Sequence, residues 1–343
     1  MADVDPEAFA WFGGRLATGC TDLTDDPRAL DGSGYWAVVM TFEGSLAFAR
    51  FAHVHPAPMP QGRRPWPELT GEWRTTMDRS AYVAACREVR ERIAAGTVYQ
   101  VNVCRVMEHD LPEDADTLAL AARLAQGNPA PYAGLVRVPR LGLDVVTASP
   151  ELFLRRHGDR VASSPIKGTA PTADGLLAKD RDENVMIVDL VRNDLARVCR
   201  PGSVDVPSLL RVEEHPGLVH LVSTVTGRLR PGAGWSDLFA AAFPPGSVSG
   251  APKSTALQAI RNLEPAARGP YCGAVGWVDA DHRRGELAVG IRTFWTEHAD
   301  RGRLLRFGTG AGITWGSEPE REWDETELKA ARLVALASGK VVP

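Results

Sequence analysis

The stretch Ser80 to Met107, SAYVAACREVRERIAAGTVYQVNVCRVM, changes its hydrophobic period part-way along. Tyr82, Cys86, Val89 and Ile93 recur at spacings of four, three and four, which predicts an amphipathic helix with Ser80 as its N-cap and Gly96 just past its end. From Thr97 the residues become β-branched and alternate, which predicts a strand. The same switch recurs outward in both directions. Upstream, Tyr35 to Phe42 and Ser45 to Phe51 read as a strand pair around a Glu43-Gly44 turn. Downstream, Gly134 to Val138, Leu143 to Ala148 and Arg160 to Ser163 read as strands. Ala178 to Val198 reads as a long helix with Val185, Val188, Val191, Leu195 and Val198 in one stripe. GAVGWVD and LAVGIRTFW bracket the turn ADHRRGE, and a last helix opens with Ser317 and Glu320 spaced as a capping box around Pro319. Strands and helices mix without a regular βαβ period, so the expected fold class is α+β.

Composition excludes several classes of function. The chain has 343 residues, 44% hydrophobic and 24% charged, an ordinary globular profile. Its net charge of −4 gives no global attraction for nucleic acid or an anionic membrane. The run from Leu238 to Pro252 lacks charge but is broken by three prolines and two glycines, so it cannot span a bilayer as a helix. The acidic start MADVDPEAFAWFGG resembles no signal peptide. Five scattered cysteines without a C-x-x-C pair predict a reduced, cytoplasmic setting without structural zinc. HVHPAPMPQGRRPWPE fits either a linker or a surface loop. Only five of the 39 basic residues are lysines, and four of these sit in the motif blocks that follow.

Glu151 stands beside a proline in ASPELFL, close to SSPIKGTAPT. Lys167, between Ile166 and Gly168 on a strand exit, is placed for partial burial, which lowers an ammonium pKa toward a usable nucleophile. Gly168 and Thr169 add donors that could hold a carboxylate; a plain loop lysine fits the same residues. Asp180 and Glu183 share a face near a helix N-terminus, where acids also suit the dipole. Glu322, Glu325 and Lys329 share a face of the last helix. Carboxylates from two helices are the oxygen set that holds Mg²⁺, while a solvated face with a Glu325–Lys329 pair is the competing reading. FPPGSVSGAPKS resembles a glycine-rich turn feeding a helix, fit for an anion, but lacks the P-loop pattern. GTGAGI offers close backbone approach at Gly308 to Gly312. His220, in an apolar alternating run, fits a core position, and Arg292, in the middle of a strand, fits either an ion pair or a carboxylate clamp.

GTVYQVNVCR, ASPELFL, PIKGT, DENVMIVDLVRNDLARV, VHLVSTVTG, PPGSVSGAPK, RGPYCGAVGW, GIRTF and GAGITWGSEPEREWDETELKA occur in the order and spacing of the chorismate-utilising enzymes. The chain resembles that family over roughly residues 80 to 335, and within it is similar to the aminodeoxychorismate synthase component I branch. The resemblance implies the layered β-sandwich with flanking helices of anthranilate synthase component I. Residues 1–75 are then a short N-terminal region packing on the core, and residues 76–343 the chorismate-binding catalytic core. It implies Lys167 as nucleophile, Glu151 as general acid and His220 as an assisting group. Mg²⁺ would be held by Glu183 and Glu325, with Glu322 and Asp180 in support. Chorismate would meet Gly168, Thr169, Ser249, Gly250, Tyr271, Arg292, Gly310, Gly312 and Lys329. Ammonia would come from a separate glutamine amidotransferase subunit, component II. A lysine at position 167 implies the aminodeoxychorismate branch, because anthranilate synthases are similar except for alanine there. Gln100 takes the place of the water-activating lysine of the isochorismate and salicylate synthases.

The pattern also departs from the family. Ala170 replaces a frequent arginine and Val219 a frequent histidine, the N-terminal portion is shorter, and no tryptophan pocket is evident although Asn128 to Tyr132, which normally border it, are present. An anthranilate synthase component and a binding-only relative are the alternatives.

Overall fold

The computed structural model describes residues 4–340 apart from 171, 177, 216 and 217, and leaves out the side chains of Thr169, Ala178, His215 and Leu218. Among the described residues six α-helices, α1 (Arg79–Ala94), α2 (Thr117–Gly127), α3 (Ala178–Ala196), α4 (Trp235–Ala242), α5 (Lys253–Leu263) and α6 (Pro319–Ala337), accompany a sheet of 18 strands. Among the described residues every strand ladder is antiparallel, as befits an α+β fold.

The expected strand after α1 runs Gln100–Asp110 and is buried along nearly its whole length. Its alternation separates two apolar partners: Val101 and Val103 pack with α1 and α5, while Cys104 and Val106 join the largest core. It pairs with Gly302–Ile313 from Val101↔Ile313 to Asp110↔Leu304. Strands from residues 5–56 enter the same sheet on two sides, Tyr35–Met40 beside Ala274–Asp279 and Asp5–Phe12 beside Tyr132–Val138. His53 to Pro56 extend a strand, and the proline-rich stretch beyond buries Trp66, whose indole donates to Ala337 O at 2.6 Å. That stretch therefore covers the core under α2 and α6 and links no separate lobes.

Three local expectations are corrected. The N-cap of α1 is Asp78, whose carboxylate accepts from Ala81 N at 2.8 Å, while Ser80 lies inside the first turn and donates to Asp78. In α3, Val185 is exposed and Ile187 is buried in its stead; Val185 lies roughly 100° around the helix from the stripe centred on Val188, Val191 and Leu195. The capping box of α6 does not form. Ser317 Oγ accepts from Thr314 N at 3.0 Å, and Glu320 pairs with Arg87.

Arg268 ties together the backbone that carries the site. Its guanidinium is 1% exposed, bonds Glu264 at 2.7 Å, and donates to Val248 O and Asn102 O, both at 2.8 Å. It thereby joins α5, the Gly246–Val248 turn and the Gln100–Asp110 strand. Arg268→Met leaves the Glu264 carboxylate buried without its partner, and urea unfolding is expected to show a loss of about 3–5 kcal/mol.

Candidate active site

Lys167 lies on the short strand Ile166–Ala170, opposite Leu221, while Thr169 lies opposite His220. The register breaks between these positions at Gly168, whose φ is +76°. Glycine takes that conformation at little cost, and such a bulge re-aims the adjoining side chain. A Cβ at Gly168 would also stand 2.8 Å from Asp180 Cβ, so the bare position lets the start of α3 close on the strand.

The Lys167 amine approaches the Gly302–Ile313 strand at Gly312. A Cβ there would stand 3.0 Å from Lys167 Nζ and 2.5 Å from Gln100 Nε2. The two nitrogens are thus no more than about 5.5 Å apart across the bare face of Gly312. Gln100 is completely buried, and neither its amide nitrogen nor its carbonyl oxygen has a hydrogen-bond partner among the described residues.

Glu151 is 3% exposed. Its N–H donates to Ser149 Oγ at 3.2 Å and its carbonyl accepts from Val289 N at 3.0 Å, which fixes the side chain at the strand junction. Burial pushes its carboxyl up to about 7, against the opposing pull of the Ser247 hydroxyl, the Lys167 charge and the Ile166 N–H. A carboxyl poised there can give a proton near neutrality and take one back.

The acids of α3 and α6 face each other around two lysines. Lys179 Nζ lies 3.0 Å from Glu322 and 3.6 Å from Glu183, and Lys329 Nζ lies 2.7 Å from Glu325. Glu325 and Lys329 keep 46% and 41% of their side-chain surface open to solvent. Burial raises the Glu183 carboxyl, opposed by Lys167 and Lys179 and reinforced by Glu322 and Asp180. Among the described residues no three His, Cys, Asp or Glu side chains already converge as the ligands of one ion. The donor set nevertheless fits a hard divalent cation. It is all oxygen, and Glu183 Oε1, 3.6 Å from Lys179 Nζ, is buried without a hydrogen-bond donor among the described residues.

His220 is buried, and its Nε2 meets Arg292 Nη2 at 3.1 Å. Arg292 adopts φ +51°, burial lowers its pKa, and it forms no ion pair among the described residues. A half-buried guanidinium without a counter-ion among the described residues is suited to an anionic ligand. Tyr271 is instead engaged with Cys104, its hydroxyl 3.7 Å from the thiol. Ser249 spends its hydroxyl on Pro245 O at 2.9 Å, while Gly250 is packed tightly against Gln100 O. Gly310 O accepts from Lys329 at 3.0 Å. The Thr169 side chain lies outside the described residues. Lys253, in the expected anion turn, is committed to Asp194 at 2.7 Å.

Residues 46–335 match the family described as chorismate binding enzyme. The chain belongs to the chorismate-binding enzyme family. It is 39% identical over 268 residues to an anthranilate synthase component 1 of Haloarcula marismortui, covering 75% of this chain and 53% of that protein. It is 37% identical over 300 residues to the aminodeoxychorismate synthase component 1 of Klebsiella aerogenes, covering 80% and 64%. The chain thus spans between about half and two-thirds of the length of these curated relatives. Anthranilate synthase component I from Streptococcus pneumoniae shares the fold, with a TM-score of 0.76 at 20% identity over 97% of this chain and 91% of that one.

At this site, two participants escape sequence reasoning. Lys179, the counter-ion of Glu183 and Glu322, is signalled only by its i,i+4 spacing to Glu183. Ser247, which bonds the Glu151 carboxylate, is hidden among the serines of GSVSG.

Because the folded-state pKa of Glu151 is raised from 4.5 to about 7, its protonated form contributes stability below pH 4.5 that is lost as pH rises through 7. Glu151→Gln should therefore match the parent near pH 4.5 and exceed it by up to ~3 kcal/mol above pH 8. Denaturant unfolding across that range measures the difference.

Proposed function

We propose that the protein is an aminodeoxychorismate synthase component I, converting chorismate and ammonia to 4-amino-4-deoxychorismate and water. The observation that carries this reading is the Lys167 amine, set against Gly312 and close enough to Glu151, Glu183 and Glu325 for its charge to act on all three carboxyls. The relatives include both aminodeoxychorismate and anthranilate synthases, and a lysine in the PIKGT position favours the former.

Lys167, as the neutral amine, bonds to ring carbon 2. The ring π electrons shift, the bond from carbon 4 to its hydroxyl breaks, and Glu151 protonates the departing oxygen, which leaves as water. Ammonia then bonds to carbon 4, the π electrons shift back and the bond from carbon 2 to Lys167 breaks. The carboxylate of Glu151 takes the extra proton from the new amine, so the enzyme returns to its starting state. Arg292, oriented by His220, meets a substrate carboxylate.

Mg²⁺, held by Glu183 and Glu325 with Glu322 and Asp180 in support, would stabilise negative charge on the ring carboxylate. Lys179 already plays a cation's part between Glu183 and Glu322 and would yield to the metal. A glutamine amidotransferase subunit would supply ammonia, and the product would serve as a 4-aminobenzoate precursor.

Mass spectrometry and fluorescence of the product formed from chorismate, an ammonium salt and Mg²⁺ test the branch. The expected product is 4-amino-4-deoxychorismate; anthranilate would assign the chain to the other branch. Lys167→Ala should lose amination at carbon 4 by about a hundredfold or more and shift residual amination toward carbon 2. Glu151→Gln should lower kcat by roughly 10²–10⁴ with little effect on chorismate binding, as measured by calorimetry.

A further inference from the structure

Gln100 has no role in the steps above, yet it is the most conspicuous unsatisfied group beside them. It is completely buried, and both polar atoms of its carboxamide lack a hydrogen-bond partner among the described residues. An orphaned buried amide costs stability, whereas an apolar side chain of the same shape in its place would cost none. Its amide nitrogen lies across Gly312 from Lys167 Nζ, at no more than about 5.5 Å. The missing Cβ of Gly312 keeps the space between them clear.

We propose that Gln100 is a positioning residue for Lys167, its carboxamide oxygen accepting an N–H of the neutral amine so that the nitrogen lone pair points at the substrate ring. This rests on the lysine route proposed above. Three carboxyls, Glu151, Glu183 and Glu325, feel the Lys167 charge, whereas the proposed step uses the lone pair of the uncharged amine. A carboxamide offers an acceptor of similar geometry without charge and does not titrate. Gln100 can therefore orient the amine without encouraging it to hold the proton that must leave before attack.

Gln100→Met and Gln100→Glu in the full chain test this, with chorismate present, ammonia withheld and the protein mass read after rapid quenching. In Gln100→Met, the adduct on Lys167 should form at least about tenfold more slowly than in the parent, with chorismate affinity unchanged within about threefold. The thermal midpoint should hold or rise by a few degrees, because the substitution removes an orphaned amide. Gln100→Glu, which keeps an acceptor but adds charge, should also slow the adduct near neutral pH. A parent-like adduct rate in Gln100→Met overturns the inference, as does a fall in thermal midpoint that accompanies the loss of rate and marks a structural role. A parent enzyme that aminates chorismate with no adduct on Lys167 overturns the lysine route itself, and the inference with it.

Discussion

One amine, that of Lys167, opposes protonation of three carboxyls carried by three different elements. Glu151 feels it beside a strand junction, Glu183 on α3 and Glu325 on α6, where Lys329 has the larger effect. A positive charge so placed steadies buried acids that would otherwise be too costly to ionise. The proposed chemistry asks the same amine to serve these acids and the substrate ring. The chemistry of the site depends on how that balance is tipped when substrate and cation arrive.

The fold supplies the balance through absent side chains as much as present ones. Gly168 allows a left-handed bulge that turns Lys167 and admits Asp180, and Gly312 clears the floor between Lys167 and Gln100. Arg268 ties three backbone segments behind this floor. Two ion pairs, Lys179 with Glu322 and Lys329 with Glu325, hold the acids of α3 and α6 in place beside it. Arg292, half-buried and without a carboxylate of its own among the described residues, marks the end of the site where an anion is wanted.

Much of this was legible in the sequence where the signal is local. The periodicity of Tyr82, Cys86 and Val89 gave α1, and the alternation after Thr97 gave the strand that floors the site. The motif blocks placed Lys167, Glu151 and Glu183 among the candidates. Errors arose where two residues compete for one local role, as when the Asp78 carboxylate caps α1 in place of Ser80, or when α3 buries Ile187 and turns Val185 outward. Non-local pairing was not legible: nothing in the first 56 residues states that they border both Ala274–Asp279 and Tyr132–Val138. Nor does sequence reveal that Gln100 lacks hydrogen-bond partners, since that depends on Gly312, more than two hundred residues away.

The most direct test of the central claim is a crystal structure of the protein with chorismate and Mg²⁺. The expected result is Lys167 Nζ within about 3.5 Å of ring carbon 2, with the ion on the opposite side of the substrate held by Glu183 and Glu325. A ring bound with carbon 2 turned away from Lys167, or an ion held by neither helix, would contradict it.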